Sequence, residues 1–291
     1  MKSNALNEKL MHIVFLLAAS VSVLAVALIC AFLFINGLPA MNEIGLFSFI
    51  TGQTWRPGAE SFGIFPMIVG SIYVTIGAVL LGVPTGILTA VFLANYCPKK
   101  IYPLLKAATQ LLAGIPSVVY GFFGLVVIVP YVRNFARSIG MGNQGNTVLT
   151  ASILLGIMIL PTIIGVTEAA IGAVPKHFYE GALALGATRE RAVFRVVLPA
   201  AKSGIIAGIV LGIGRAIGET MAVIMVAGNQ ARVPTSIFQG ARTLTSNIVL
   251  EMAYSSGLHR QVLIATGVIL LVFILMINLA VVFLRRRMNR A

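Results

Sequence analysis

Hydrophobic positions along this chain do not alternate with polar ones; they run together. Six stretches are predominantly apolar, at about 13–36, 66–96, 107–132, 148–172, 204–228 and 261–284. A helix needs about 20 such residues to cross a bilayer, so the pattern predicts an all-α integral membrane protein with six transmembrane helices. The first run is too long for the apolar core of a cleaved signal peptide and reads as an uncleaved signal-anchor. The longest hydrophilic stretches lie at about 37–65, 173–203 and 229–260. No tandem repeat, low-complexity tract or Pro/Ser linker divides the chain, which reads as one transmembrane domain over residues 1–291.

Composition agrees with lipid as the solvent. The chain is 58% hydrophobic and 10% charged, against about 25% charged in a soluble domain. Its 21 Lys and Arg face 8 acidic residues, all Glu, for a formal charge of +13. A basic excess can mark nucleic-acid binding, but here the cations sit in short blocks between apolar runs, as topology signals do. With the N-terminus inside, fourteen Lys and Arg fall on the inner side and six on the outer, with Arg215 inside the fifth run. That asymmetry predicts a multi-pass protein of a cytoplasmic membrane with both termini cytoplasmic, and "LRRRMNR" at the end reads as a basic stop on the inner side.

Catalytic chemistry is poorly represented. His12, His177 and His259 lie in separate segments, and no HExxH, G-x-S-x-G or Asp is present. Cys30 and Cys97 make neither a disulfide framework nor a zinc site. No metal or other cofactor is expected on the chain. Trp55, followed by Arg56 and Pro57, is expected to anchor the first outer loop at the membrane interface or to meet a substrate-delivering protein.

The inner stretch holds "GALALGAT" (Gly181–Thr188), which comes within one residue of a phosphate-binding loop. Ala187 stands where that loop needs Lys, and no buried strand precedes it. A different spacing fits: Glu180, then small Gly181 and Ala182, three residues, Gly186, nine residues, then Val196 and Leu198–Pro199. This resembles the EAA-x3-G-x9-I-x-LP signature of bacterial ABC-importer permeases, with Gly for the first Ala and Val for Ile. The resemblance implies a short coupling helix that docks on an ATP-binding subunit, with Arg189 and Arg191 as polar contacts around the dock. ATP is then used by the partner and not bound by this chain. An interfacial amphipathic helix on anionic lipid is the plainer alternative.

Within the fifth run, Arg215 and Glu219 lie four residues apart. Each is costly at mid-bilayer, and in a continuous helix they can pair along one face. Gly208 and Gly212 fall near that face and allow close helix contact. The pair is either a structural lock or an anion path in which the planar fork of Arg215 meets an oxyanion and Glu219 neutralises it at rest. In the third run, Pro116 disfavours helix at Ile115, and Ser117 and Tyr120 either satisfy freed backbone groups or line a path. Pro84 and Pro161 are further expected kinks, and Glu168 needs a partner or interfacial water.

"GRAIGETMAV" (Gly214–Val223), "LLAGIPSVVYGFFGL" (Leu111–Leu125) and "FGIFPMIVGSIYVT" (Phe62–Thr75) together resemble the permeases of phosphate-specific ABC importers. "GN" at Gly228–Asn229 and "SGLH" at Ser256–His259 are similar to the C-type subunit of those systems. The resemblance covers about residues 50–284. It implies a MetI-like fold, phosphate as substrate and an Arg215/Glu219 membrane pair. It also implies a related A-type permease as heterodimer partner, two ATP-binding subunits and an extracytoplasmic phosphate-binding protein. Another oxyanion such as sulfate or molybdate, the A-type subunit, and a stand-alone transporter or membrane enzyme are the alternatives.

Overall fold

The computed structural model describes residues 2–142 and 144–288; the side chains of residues 2–7, 9, 281 and 284–288 lie outside that description. Lys2, Lys9 and the basic block read as an inner stop therefore fall outside the described side chains.

Helix α1 (Lys2–Ile44) leads to a short α2 (Leu46–Thr51) and a two-residue hairpin, β1 (Trp55–Arg56) against β2 (Ser61–Phe62). Helix α3 (Phe65–Val91) continues through a π turn to Tyr96. Then come α4 (Tyr102–Gly114), α5 (Ser117–Phe123), a π turn and α6 (Val129–Ser138). Helix α7 (Val148–Gly172) precedes α8 (Lys176–Ala184) and α9 (Arg189–Ala192). A π turn joins α9 to α10 (Leu198–Ala200), followed by α11 (Lys202–Gly218), α12 (Met221–Val226), α13 (Leu244–Met252) and α14 (Gly257–Met288).

Helix α7 forms the centre. Its Leu154, Leu155, Met158, Ile159 and Ile163 are buried together with residues of α3, α5 and α12. Lipid tails are as apolar as leucine, so close packing of small residues does much of the work of holding such helices together. On α3, a Cβ at Gly82 would lie 2.7 Å from Ile159, and on α11 a Cβ at Gly212 would lie 2.9 Å from Ile163. Gly208 likewise faces Val166 and Thr167 of α7. By contrast, α1 meets α14 towards its C-terminal end, where Gly37 packs on Ala265 and Val268, and its residues 10–29 are exposed.

Five helical runs among the described residues are long and apolar enough to span a membrane: Leu10–Ile44, Phe65–Tyr96, Ser117–Ser138, Val148–Gly172 and Gly257–Ala280. A sixth arises if Arg189–Ala200 and Lys202–Gly218, bent by 71° at Ala201, count as one span. Two expected spans need correction. The run 107–132 is broken at Ile115–Pro116, where Ile115 is extended (φ −68°, ψ 126°) because the following proline ring crowds a helical backbone. The run 204–228 is broken at Glu219–Thr220, where Glu219 adopts φ −69° and ψ 131°. Helices α3 and α7, in contrast, run on through Pro84 and Pro161.

Candidate functional site

The two breaks lie side by side. Helix α5 starts after Pro116 and α12 after Thr220, and they pack at Gly121, whose absent Cβ would lie 3.0 Å from Ala222 Cα and 2.7 Å from Met225 Sδ. Proline at 116 has no N–H for the carbonyl of Leu112, four residues back. The Tyr120 hydroxyl takes its place and donates to Leu112 O at 2.8 Å. Ala216, beside Arg215, shares a buried cluster with Tyr120 and with partly buried Leu112 and Ile115. The structure thus brings the third-run motif and the Arg215 region into one neighbourhood, with Ser117 half-buried at the first position of α5.

Arg215 and Glu219 are not paired. The helix ends at Gly218, so the four-residue spacing no longer places them on one face, which corrects the expected pairing. Glu219 turns to the next helix instead: its Oε1 accepts from the N–H of Thr220 at 3.1 Å and of Ala222 at 3.3 Å. A carboxylate there satisfies the free amides and the positive end of α12. Among the described residues Arg215 makes a single hydrogen bond, from Nη1 to Thr162 Oγ1 at 3.4 Å. A guanidinium carries five N–H donors, so most of this one's capacity is unused, and the side chain is only half-buried.

Glu168 is the better-satisfied acid. It is buried near the end of α7, accepting from Tyr102 Oη at 2.6 Å and from Lys106 Nζ at 2.5 Å. These bonds fasten α4 to α7, and the bond to Glu168 raises the Tyr102 phenol above its usual pKa.

On the segment expected to couple, α8 has no buried residue. It ends in a left-handed Gly186 (φ 82°), with Gly186 N–H donating to Leu183 O and Ala187 N–H to Ala182 O. That reciprocal pair closes the helix as only a residue tolerant of positive φ allows. Thr188 then caps α9, accepting from Arg191 N–H. Glu180 and Gly181 are exposed. Ala182, Leu185, Arg191 and Arg195 help line an open groove of about 630 Å³. Arg189, expected at the dock, folds back on its own chain: Nη2 donates to Asn95 O at 2.5 Å and the guanidinium lies 5.2 Å from the Tyr96 ring centre.

One cluster escaped sequence reasoning. Buried Glu251 accepts from Trp55 Nε1 at 2.9 and 3.0 Å and from Arg242 Nη1 at 2.6 Å, and its Oε2 lies 2.9 Å from His259 Nε2. Trp55 is therefore buried against this carboxylate, not spread at an interface; its ring meets those of Phe62 and His259 edge-on, and Phe62 and His259 stack on each other. The available signal was one of eight acids, nine residues after Arg242 and eight before His259.

Comparison with known proteins agrees with this architecture. The chain is 37% identical over 275 residues to the probable ABC transporter permease protein YqgH of Bacillus subtilis strain 168, covering 92% of this chain and 88% of that protein. It is 35% identical over 289 residues to the phosphate transport system permease protein PstC of Mesorhizobium japonicum, covering 94% and 88%. Its backbone matches a chain in the crystal structure of a bacterial alginate ABC transporter in complex with an alginate pentasaccharide-bound periplasmic protein. There the TM-score is 0.65, with 19% identity and coverage of 94% and 96%. That likeness shows the fold alone, a helical ABC-importer permease of MetI-like type. Residues 82–290 match the family model of the binding-protein-dependent transport system inner membrane component, and the chain belongs to that family.

Proposed function

We propose that this chain is the C-type permease of an ATP-driven importer of inorganic phosphate, passing phosphate delivered by an extracytoplasmic binding protein into the cell. A permease of this family is not itself an enzyme; separate subunits hydrolyse ATP. Relatives named as phosphate permeases support the substrate, including PstC proteins of Mesorhizobium japonicum and Pasteurella multocida, and favour it over the other oxyanions.

The observation that carries the path is Arg215: a cation within an apolar chain, half-buried, with one long hydrogen bond, beside two broken helices. Broken helices at membrane depth place free backbone groups and irregular chain where a solute can meet them. A phosphate oxygen pair fits the planar fork of Arg215, with Ser117 at the adjoining helix start. Glu219, whose carboxylate accepts from the α12 amides, is the group that must leave them to neutralise Arg215 when phosphate departs. Pro116 and Tyr120 hold the neighbouring break.

Glu180, Gly181, Ala182, Gly186 and Arg191 form the dock for one of two ATP-binding subunits, which bind the ATP. Arg189 ties that dock to the end of α3, and Val193, Val197 and Ala201 pack with Val91 and Ile171, so movement at α8 reaches α3 and α7 together. An A-type permease completes the pair across the path, and both termini lie in the cytoplasm. No further cofactor is required.

The test is ATP-dependent phosphate uptake by the reconstituted complex. Arg215→Ala is expected to assemble normally and to abolish uptake. Wild-type uptake by that complex rejects the path.

A further inference from the structure

The Glu251 cluster has no place in the path above, yet it joins segments far apart in sequence. Trp55 comes from the outer hairpin, Arg242 from the loop before α13, Glu251 from α13 and His259 from α14. Both carboxylate oxygens are occupied, and Arg242 adds bonds to Asn229 O at 3.0 Å and Asn247 Oδ1 at 3.1 Å. The last turn of α13 is thereby fixed to the outer hairpin and to the start of α14.

The first turn of the same helix reaches the break in the fifth run. Thr245 Oγ1 donates to Glu219 O at 3.2 Å. Leu244 N–H donates to Ser71 Oγ of α3 at 3.0 Å, and Thr243 caps the helix by accepting from Ser246 N–H. Nine helical residues form a stiff rod of about 13 Å, and this one is held at both ends: by a saturated carboxylate at one, by the backbone of Glu219 at the other.

We propose that Glu251 is a positioning residue for transport: through α13 it holds Glu219 in its extended, α12-capping conformation, so that the outer hairpin and the mid-chain break move as one. Glu251 touches no solute. It sets where the Glu219 carbonyl, and with it the carboxylate, sits relative to Arg215. Release of the clamp frees the break without the signal that normally reaches the outer surface. The proposal rests on the reading of Arg215 and Glu219 as the path.

The experiment uses the full complex in vesicles, with phosphate uptake and ATP hydrolysis measured with and without the binding protein. Glu251→Gln keeps an acceptor for Trp55 but removes the charge held by Arg242. Thr245→Val leaves the clamp whole and removes the bond to Glu219 together with a 3.0 Å contact to Thr243 Oγ1, while Thr243 keeps its capping bonds to Ser246. Both are expected to assemble, to raise binding-protein-independent ATP hydrolysis severalfold and to lower uptake about tenfold. The double variant is expected to be no worse than Glu251→Gln alone, because the two residues act in series. A purely structural clamp would instead lower the thermal midpoint of Glu251→Gln and leave hydrolysis in Thr245→Val at the wild-type level. That result, or additive effects, overturns the proposal. If Glu251→Gln fails to assemble, Thr245→Val decides alone: wild-type hydrolysis and uptake overturn it. Arg215→Ala is measured alongside. Normal uptake there with uncoupled hydrolysis in Thr245→Val rejects the path and keeps the rod; lost uptake there with a silent Thr245→Val does the reverse.

Discussion

Arg215 and Glu251 are both ionic groups in a chain that is 58% hydrophobic, and their surroundings are opposite. Glu251 has three side chains on two oxygens, all within 3.0 Å. Arg215 has one partner at 3.4 Å. Removing a charge from water costs several kcal/mol unless partners replace the lost hydration. At Glu251 the replacement is complete and built from three other segments, so the group holds architecture. At Arg215 it is largely missing, which a folded chain tolerates where a mobile partner or water supplies the rest. Saturation of hydrogen-bonding capacity thus separates groups that fasten the permease from groups with capacity to spare, such as Arg215, for which a path role is proposed.

Glu168 tests the first class. It is buried and saturated like Glu251, but its partners come from a single helix, α4. Glu168→Ala leaves Lys106 without its counter-charge and Tyr102 without its acceptor. Lys106 keeps 30% side-chain exposure, so water meets part of the cost. The expected loss is about 1–3 kcal/mol of stability, read as a lower thermal midpoint of the purified complex with the KM for phosphate unchanged. A raised KM at an unchanged midpoint would move Glu168 into the same class as Arg215.

A smaller effect is expected at Tyr120, where the saturated group is a backbone carbonyl. Tyr120→Phe removes the only hydroxyl that replaces the N–H missing at Pro116 and leaves Leu112 O unpaired. The cost is about 1–2 kcal/mol, and it is local. Amide hydrogen exchange over residues 112–120 is expected to speed up, with exchange in α7 unchanged. Uniform acceleration across both helices would mean that this break is not an independent unit.

Much of this was legible in the sequence, and the division follows distance along the chain. The membrane class and the number of apolar runs follow from run length alone. The turn between two short helices at Gly186 was legible because the glycine and the helix formers around it lie within one short stretch. The break at Pro116 was half legible: the proline gave the kink, but not that the helix stops there. The break at Glu219 was hidden, because the apolar run continues past it and only the folded backbone shows the carboxylate capping Thr220 and Ala222. The Glu251 clamp was least legible: Trp55 lies 196 residues away, and no local pattern records such a contact.

The smallest effect is expected at the exposed turn between α8 and α9, at Gly186. Its φ of 82° suits glycine, and a Cβ there meets no heavy atom within 4 Å. The penalty of Gly186→Ala is therefore backbone strain alone, about 1 kcal/mol. Because α8 buries none of its residues, that strain has nothing in the membrane core to disturb. The thermal midpoint of the permease is expected to hold, while the turn between α8 and α9 loosens and less phosphate is moved per ATP hydrolysed. Gly186→Asn, which tolerates the left-handed conformation better, is expected to recover most of the lost coupling. A midpoint falling as far as in Glu168→Ala would show that this segment is as tightly built into the fold as the saturated sites, and the distinction between fastened and open groups would not extend to α8 and α9.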